Sequence, residues 1–424
     1  MSTKINEPAN GFKHFKLHAA LERGIDAAGF VEPRPVQQQA IPAARDGRDV
    51  LGLAQTGTGK TAAFALPVLD RILAERRHGP RVLVLAPTRE LAAQISQEIR
   101  TLAKFTKILV ATVFGGVSVH SQRRALAAHP QIVVACPGRL LDLMGQGLVG
   151  LDRIETLILD EADHMFDMGF LPDIRRILRA LPEERQNLLF SATMPPEIRG
   201  LADRILSNPK VVDVAHQKPL STIEHALYPV ESGRKVALLE RILAEDAAAS
   251  AIVFTRTKHR ARRLAQKLER SGHRAVALQG NMSQNQRQRA MDGFRRRRFD
   301  VLVATDIAAR GIDVDQVSHV VNFDMPDTTD AYTHRIGRTG RSERLGKAYT
   351  FVTAEDRGLV FQVEKRLGVP IPRREVDGIE SIPFPSHRSG GRAGGRDHQS
   401  RGPRQRGGGR TARGRNSYRS RRSA

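Results

Sequence analysis

The feature that most constrains this fold is a short apolar run, Val50–Leu53, followed at once by Ala-Gln-Thr-Gly-Thr-Gly-Lys-Thr at residues 54–61. Gly57 and Gly59 let the backbone curl so that its amide groups point at a bound anion, and a following helix adds its positive end. This order of strand, turn and helix is typical of a loop that holds phosphate groups. An ordinary Gly-rich strand–helix turn would look the same, so a second signal is needed.

The second signal is Asp160-Glu161-Ala162-Asp163, which begins 100 positions after Lys60. The preceding run Leu157-Ile158-Leu159 predicts a buried strand, so Asp160 lies where that strand ends. A carboxylate there suits a magnesium ion, and Glu161 is placed to orient or deprotonate water for in-line attack. A solvated acidic turn is the alternative, but the upstream phosphate loop argues against it. Together the two segments predict an ATPase.

The phosphate loop itself predicts how ATP and Mg²⁺ are held. Lys60 is expected to reach the β and γ phosphates, and the Thr61 hydroxyl is expected to ligate Mg²⁺ with Asp160. The common pattern begins with Gly, where this chain has Ala54. The predicted loop contacts are Ala54, Gln55, Thr56, Gly57, Thr58, Gly59, Lys60 and Thr61.

Charge and composition limit the class of partner. The chain has 424 residues, which favours two domains, and a net charge of +23. Residues 386–424 hold twelve Arg and one Asp, so a polyanion is expected: nucleic acid or an anionic membrane surface. The single cysteine, Cys136, excludes an intrachain disulfide. No run approaches the roughly 20 apolar residues of a membrane span, so we expect a cytoplasmic protein.

Apolar runs of strand length alternate with amphipathic stretches, which predicts parallel sheets with helices on both faces. The first predicted series is Val50–Leu53, Arg81–Ala86, Ile108–Phe114, Ile132–Ala135, Thr156–Leu159 and Asn187–Phe190. The second is Ala251–Thr255, Ala275–Leu278, Asp300–Ala304, His319–Phe323 and Ala348–Val352. The two similar series predict one architecture used twice. Only the first copy carries a phosphate loop. Pro209 and Pro219 place the boundary within Asn208–Ser221.

Further motifs follow in a fixed order. They are residues 29–37 (GFVEPRPVQ), 87–92 (PTRELA), 115–116 (GG), 137–139 (PGR), 191–193 (SAT), 284 with 287 (Q, R), 304–313 (ATDIAARGID) and 334–341 (HRIGRTGR). With these motifs the chain resembles a DEAD-box RNA helicase over about residues 10–370, and it is most similar to the bacterial RhlE-like group.

The resemblance implies an α/β fold of two tandem RecA-like domains, each a mostly parallel sheet flanked by helices, plus a disordered basic tail. The expected bounds are a flexible N-terminus at 1–11, an ATP-binding domain at 12–210, a linker at 211–222, a C-terminal helicase domain at 223–372 and a disordered Arg/Gly-rich tail at 373–424.

The resemblance also implies roles around the nucleotide. Gln37 resembles the family's adenine reader, and Phe12 and Phe30 would contact the base. Arg338 and Arg341 match arginine fingers, and Asp313 matches a ribose contact. The residues that would couple the nucleotide to domain closure are Asp163, Ser191, Thr193 and His334.

An RNA groove across both domains is implied as well. Its first half would be Arg89, Gly116, Gly138 and Arg139, and its second half Arg256, Gln284, Arg287, Thr305 and Asp306. Glycine-flanked amides and arginines suit phosphate contact rather than base reading, so we expect little sequence preference. Whether RNA is preferred to DNA stays open at this stage.

Two residues depart from the family pattern. Arg34 replaces a Thr or Ser whose hydroxyl could brace the phosphate loop, so loss of that contact is expected. Cys136 replaces a Thr before Pro137, which would weaken RNA binding only if the hydroxyl, rather than the backbone, makes the contact.

These observations predict an ATP-dependent RNA helicase that locally unwinds short duplexes, acting on single-stranded and duplex RNA. Candidate assemblies are ribosomal particles and the RNA-decay machinery, with no membrane partner. The alternatives are a DNA-acting motor of the same fold and an ATP-gated RNA clamp. The Arg-rich tail is interpreted as an RNA tether; a solubilising tail is the other interpretation.

Overall fold

The fold is that of a computed structural model of the chain. The structure describes residues 11–55, 57–75, 77–214, 223–245, 250–309, 317–340 and 345–384. The predicted N-terminal segment 1–10 and the tail from 385 onwards lie outside these ranges.

A seven-stranded parallel sheet forms the first lobe. Its strands are β1 (Val50–Leu53), β2 (Val82–Leu85), β3 (Val110–Val113), β4 (Ile132–Ala135), β5 (Thr156–Leu159), β6 (Gln186–Ser191) and β7 (Lys210–Asp213). They lie in the order β3-β4-β2-β5-β6-β1-β7. The inner strands are continuous apolar runs because helices cover both faces of the sheet.

Among the described residues, nine α-helices belong to the first lobe. They are α1 (Ala19–Ala27), α2 (Pro35–Arg45), α3 (Lys60–Ala74), α4 (Arg89–Leu102), α5 (Val119–Ala127), α6 (Pro137–Gly145), α7 (Ala162–Asp167), α8 (Leu171–Leu178) and α9 (Pro196–Ile205). Helix α3 is buried along most of its length, and Phe64 on it packs against Phe190 of β6 with ring centroids 5.6 Å apart. Gly52 of β1 leaves room for that ring, since a Cβ there would lie 2.4 Å from a Phe190 ring carbon.

The second lobe repeats the plan with six parallel strands in the order β10-β11-β9-β12-β13-β8. The strands are β8 (Ile223–Pro229), β9 (Ala251–Phe254), β10 (Ala275–Leu278), β11 (Val301–Ala304), β12 (His319–Asn322) and β13 (Gly346–Val352). The helices are α10 (Lys235–Glu245), α11 (Lys258–Arg270), α12 (Gln284–Arg295), α13 (Asp306–Ala309), α14 (Thr329–Ile336) and α15 (Arg357–Leu367). The prediction of two parallel-sheet α/β units is confirmed.

Three segments that the prediction placed outside the two domains make contacts with those domains in the structure. Strand β7 falls largely inside the expected linker 211–222, and it pairs with β1 at the edge of the first sheet. Residues 373–384, expected to be disordered, lie along β8: Leu227 donates to Pro372 O at 2.8 Å, and Arg374 donates back to Leu227 O at 2.8 Å. The open edge of β8 supplies these partners, which the composition of the tail does not reveal. Gly11, expected to be flexible, donates to Val31 O at 3.2 Å.

Among the described residues, none of the helices has both the length and the apolar character of a membrane span.

Candidate functional site

Sheet topology gathers the candidate residues at strand ends. Because all strands of each sheet are parallel, their carboxyl ends share one edge. In the first lobe, the ends of β1, β5 and β6 carry the nucleotide and coupling candidates, whereas the ends of β3, β4 and β2 carry the RNA candidates. The order of the sheet therefore separates two adjacent sites on one edge.

The phosphate loop connects β1 to α3. Gly57 and Gly59 have φ of +81° and +91°, a conformation that glycine adopts without the cost a Cβ would impose. Lys60 is buried, and its Nζ donates to Ala54 O at 3.1 Å and lies 3.8 Å from Asp160 Oδ1. Thr58 Oγ1 donates to Gln55 O at 2.8 Å. The ammonium group thus lies between the loop and the carboxylate, at a place suited to phosphate oxygens.

Helix α2 supports the phosphate loop from the side. The Gln37 carboxamide is buried, donates from Nε2 to Gly59 O at 3.1 Å and accepts from Arg34 N at 2.8 Å. The Arg34 guanidinium donates from Nη1 to Gly57 O. The contact with the phosphate loop that was expected to be lost at position 34 is therefore present. The Arg34 guanidinium makes it, because its side chain reaches further than a hydroxyl could.

Asp160 and Glu161 form a buried acidic pair at the end of β5. Burial raises the pKa of Asp160 to about 6, although the charge of Lys60 opposes the shift. Glu161 has φ of +54°, a strained value for a residue with a side chain. Burial also opposes ionisation of Glu161, but His164, whose Nδ1 lies 2.7 Å from Glu161 Oε2, keeps its pKa below the usual range. Glu161 is thereby held as a carboxylate.

The donor set at this position fits magnesium. Asp160 and Thr61 offer hard oxygen ligands, and the Lys60 ammonium 3.8 Å from Asp160 already provides positive charge beside that carboxylate. Mg²⁺ commonly uses one or two protein oxygens together with substrate phosphates. Within the described ranges there is no cluster of three His, Cys, Asp or Glu residues that could hold a metal by itself.

Asp163 links the acidic motif to β6 and to the second lobe. Its Oδ2 accepts from Thr193 N and Oγ1 at 2.9 and 3.0 Å, and Ser191 Oγ donates to Thr193 O at 2.7 Å. His334 Nε2 of α14 lies 3.7 Å from the same Oδ2. Burial disfavours the ionised form, but His164 and His334 lower the pKa of Asp163. All four predicted coupling residues are therefore in one network.

The turn after α14 approaches the phosphate loop. A Cβ on Gly337 would lie 4.0 Å from Gln55 Oε1, so the two lobes meet there. Arg338 is buried. Burial opposes ionisation of Glu161, but His164 and Lys60 lower its pKa, and the positive charge of Arg338 adds to these larger effects. A second-lobe guanidinium is consequently close to a first-lobe carboxylate.

Three of the four RNA candidates in the first lobe lie together. Gly116 has φ of +78°, and a Cβ there would be 1.8 Å from Arg89 Nη1, so only glycine lets the guanidinium lie over it. Arg139 donates to Val117 O at 3.3 Å, one residue further along. A Cβ on the fourth candidate, Gly138, would meet no atom within 4 Å, so the space beside this position in α6 is open.

The RNA candidates of the second lobe lie at the ends of β9, β10 and β11. Arg256 N donates to Asp324 Oδ2 at 2.9 Å, and Thr305 precedes α13. The Asp306 carboxylate is held by Arg335 through two bonds of 2.6 and 2.7 Å. That side chain is committed within the lobe, so the backbone is the part of Asp306 left for RNA.

Gln284 and Arg287 face the first lobe. Arg287 Nε donates to Glu90 Oε1 at 2.7 Å, and Gln284 Nε2 lies 3.4 Å from the same oxygen. Glu90 follows Arg89 on α4, so a candidate RNA residue of the second lobe forms an ion pair directly beside one of the first.

The aromatic candidates contact each other. Phe12 is 2% exposed and stacks on Phe30 with centroids 6.0 Å apart, which leaves Phe30 the more accessible ring. Three predicted site residues, Thr56, Asp313 and Arg341, lie outside the described ranges.

Four residues of the site were not predicted from sequence in the role that the structure shows. These are Arg34 as a loop brace, Glu90 as the partner of Arg287, His164 as the partner of Glu161, and Arg335 as the anchor of Asp306. Of these four roles, only the pairing of His164 with Glu161 could have been predicted from the sequence, because residues three apart on a helix lie on one face.

The site and the two sheets define a nucleotide-hydrolysing enzyme with tandem RecA-like domains. Residues 34–201 match the family model described as DEAD/DEAH box helicase, and residues 234–343 match the helicase conserved C-terminal domain. The chain is 42% identical to the ATP-dependent RNA helicase CshA of Listeria monocytogenes over 355 residues, which cover 84% of this chain and 68% of CshA.

Solved structures give the same result. S. cerevisiae Dbp5 bound to RNA and ADP BeF3 matches with a TM-score of 0.79 and 33% identity, covering 86% of this chain and 96% of that one. A variant of S. cerevisiae Dbp5 bound to Nup159, a Gle1 variant, IP6 and ADP matches with a TM-score of 0.61 and 32% identity, covering 85% of this chain and 96% of that one. The chain belongs to the DEAD-box ATP-dependent RNA helicases, which hydrolyse ATP. Neither the DNA-acting motor nor the RNA clamp is favoured.

Proposed function

We propose that the two lobes close over ATP and single-stranded RNA, and that closure locally separates a short RNA duplex. The observation that carries this proposal is the meeting of the lobes at the nucleotide site, where His334 lies 3.7 Å from Asp163 and Gly337 approaches Gln55. Residues from both lobes are then required for one reaction, so hydrolysis depends on closure.

The ATP pocket is formed mainly by the first lobe. Gln37 reads the adenine after exchanging its present bonds to Gly59 and Arg34 for bonds to the base, and Phe30 with Phe12 supports the ring. The phosphates are bound by the loop from Ala54 to Thr61. Asp313 of the second lobe meets the ribose.

Hydrolysis uses charges already in place. Glu161 orients the attacking water and accepts its proton, held as a carboxylate by His164. Arg338 and Arg341 stabilise the charge that develops on the transferred phosphoryl group, as arginine fingers do. Thr61 and Asp160 would hold Mg²⁺, which neutralises phosphate charge when bound.

Loss of the γ-phosphate would reopen the cleft through Asp163. This carboxylate contacts Thr193 on one side and approaches His334 on the other, so it senses both the first lobe and the closing lobe. Because binding free energies are reciprocal, RNA should strengthen ATP binding as much as ATP strengthens RNA binding.

RNA crosses both sets of strand ends. Arg89, Gly116, Gly138 and Arg139 contact the backbone from one side, and Arg256, Gln284, Arg287, Thr305 and Asp306 from the other. These contacts give little sequence preference. The two Dbp5 comparisons support an arrangement of the lobes like that of an RNA-bound helicase, since the TM-score is higher for the form bound to RNA and ADP BeF3.

The finer assignments are also proposals. We place the ATP-binding domain at 12–210, with strand β7 attached to its sheet, and the C-terminal helicase domain at 223–372, with residues 373–384 attached along β8. The motif set favours the RhlE-like subgroup. A cytoplasmic protein that acts on ribosomal particles or with the RNA-decay machinery is consistent with a basic RNA-binding chain.

Substitution of Glu161 tests the proposal. Glu161→Gln should keep ATP and RNA binding but lose RNA-stimulated hydrolysis, whereas the exposed Glu184→Gln should behave as wild type. Wild-type turnover in Glu161→Gln would remove this residue from its assigned role. A comparison of RNA and DNA duplexes in the same unwinding assay tests the choice of substrate.

A further inference from the structure

A basic cleft in the second lobe lies outside the sites described above. It has a volume of about 910 Å³ and is bounded by α11, α12 and the edge strand β10. Two faces of helix α12 contact different regions. Gln284, Arg287 and Gln288 face the first lobe, while Gln286 and Arg289 line the cleft. The cleft is therefore separate from the contact between the lobes.

The charge in the cleft is positive and largely uncompensated. Its cations are Lys258, Arg262, Arg289, Arg296 and Arg298, and its carboxylates are Glu269 and Asp292. Asp292 is already engaged by Arg295 at 3.8 Å and by Gln288 at 2.9 Å. Among the residues that the structure describes, the four arginine side chains of the cleft form no ion pair. An exposed guanidinium without a partner is suited to bind phosphate in a fork.

The cations converge from two helices and the turn that follows the second, which distinguishes the cleft from a solvated face of one helix. Arg262 comes from α11, Arg289 from α12, and Arg296 with Arg298 from the turn after α12. Arg298 N donates to Gly293 O at 2.8 Å and fixes that turn. Gly293 also admits the Phe299 ring, since a Cβ there would lie 2.5 Å from it.

The cleft begins beside the proposed RNA groove. Lys258 follows Arg256 by two positions, and Asn281 precedes Gln284 by three. Lys258 Nζ donates to Asn281 Oδ1 at 3.2 Å, so these two residues join the ends of β9 and β10. A single RNA strand that leaves the groove across the ends of β9 and β10 would next reach the cleft.

We propose that this cleft binds the phosphate backbone of the RNA that flanks the segment held by both lobes. The inference rests on the proposed RNA groove and adds to it a second contact surface that does not depend on the RNA sequence. Among its described lining residues the cleft has four arginines and several side-chain amides but only two rings, Phe299 and His259, so it favours contacts with phosphates over stacking of bases. The longer the flanking RNA, the more the cleft contributes.

The test uses the full chain, a non-hydrolysable ATP analogue and two fluorescent oligouridylates. The short one just saturates RNA-stimulated hydrolysis, and the long one carries an added flank. Arg289→Glu with Arg298→Glu should weaken binding of the long RNA by roughly tenfold and lower the salt slope by about two, because two phosphate contacts are lost. Binding of the short RNA and the hydrolysis it stimulates should not change.

Matched variants separate the cleft from net charge. Arg263→Glu with Arg270→Glu makes the same charge change at exposed α11 residues that do not line the cleft, and it should leave the preference for long RNA intact. Arg289→Gln with Arg298→Gln should give a smaller loss in the same direction. Circular dichroism melting of each variant checks that the lobe is folded.

Three outcomes would overturn the proposal. Equal losses in both charge-reversal pairs would indicate bulk electrostatics, and unchanged long-RNA affinity would show that no flank binds. Competition by oligoglutamate at the cleft, without any effect of the variants on RNA, would instead assign an acidic protein partner. Failure of wild type to bind the short RNA would contradict the proposed function itself and not only the cleft.

Discussion

Arg287 Nε lies 2.7 Å from Glu90 Oε1, so helix α12 of the second lobe is joined to helix α4 of the first by an ion pair. Both side chains are largely buried, at 13% and 16% exposure, so the attraction is less screened than at an open surface. The pair lies between the RNA candidates of the two lobes, so the distance between those candidates depends on closure of the lobes.

Removing the charge of Glu90 should weaken closure. Glu90→Gln should cost about 1 kcal/mol of coupling and reduce RNA affinity measured with the ATP analogue by roughly fivefold. ATP binding without RNA should be unaffected. Glu197→Gln, an exposed change of the same kind, is the control. Equal RNA affinity in both variants would show that the ion pair does not stabilise the closed state.

Arg34 is predicted to position the phosphate loop. Its guanidinium donates to the Gly57 carbonyl, and in a trans peptide the adjoining Thr58 amide points the opposite way, away from Arg34. Arg34→Ala should raise KM for ATP about fivefold, the cost of one hydrogen bond near 1 kcal/mol, with little change in kcat. Arg34→Thr should recover part of this loss. Gln39→Ala on the exposed face of α2 is the control, and an unchanged KM in Arg34→Ala would contradict the brace.

Arg338 is predicted to act in hydrolysis and not in binding. Its charge reaches Glu161 across the cleft. Arg338→Ala should lower RNA-stimulated kcat by about a thousandfold, as for arginine fingers in general, and Arg341→Ala should act in the same direction. Single-turnover hydrolysis at saturating ATP and RNA measures this directly. A wild-type rate would mean that these arginines do not reach the phosphoryl group.

Cys136 should be inert in the folded protein. Burial, followed by the charge of Glu90, raises the pKa of its thiol to about 12. Near pH 8 very little thiolate is present, and only the thiolate reacts. Alkylation by iodoacetamide should therefore be slow in the native state and fast in denaturant. Rapid native alkylation would show that the residue is accessible, and its side chain could then contact RNA.

The Arg-rich tail should act as a tether. Deletion of residues 386–424 should weaken RNA binding, most strongly at low salt, because eleven net positive charges are removed. Turnover at saturating RNA should stay close to that of the full chain. Affinity that is unchanged at both low and high salt would favour the solubilising interpretation.

Local pattern was sufficient for much of the fold. Strands β1, β4, β5 and β10 have the predicted bounds, because each is a short apolar run bounded by polar or turn residues. Strand β7 was missed because an edge strand with exposed Val211 lacks that pattern. The order along 373–384 depends on bonds to a strand more than a hundred residues away, which composition does not encode.

The site, like the fold, could be predicted only where the signal lies in a short stretch of sequence. Lys60 and Asp160 were found from motifs that contain their own chemistry. The contact of Arg287 with Glu90, and that of Arg34 with Gly57, were not found, because each joins residues that are distant in sequence and each arginine is compatible with several partners. Long-range pairing of flexible charged side chains is set by the packed fold rather than by local sequence.

The most direct test of lobe closure is the distance between the lobes in solution. Glu184→Cys and Lys267→Cys place exposed dye sites on the two lobes, and the buried Cys136 thiol should stay unlabelled. Single-molecule energy transfer should shift to one high-efficiency population when a non-hydrolysable ATP analogue and an oligouridylate are both present, and much less with either alone. An unchanged distribution with both ligands bound would contradict the account.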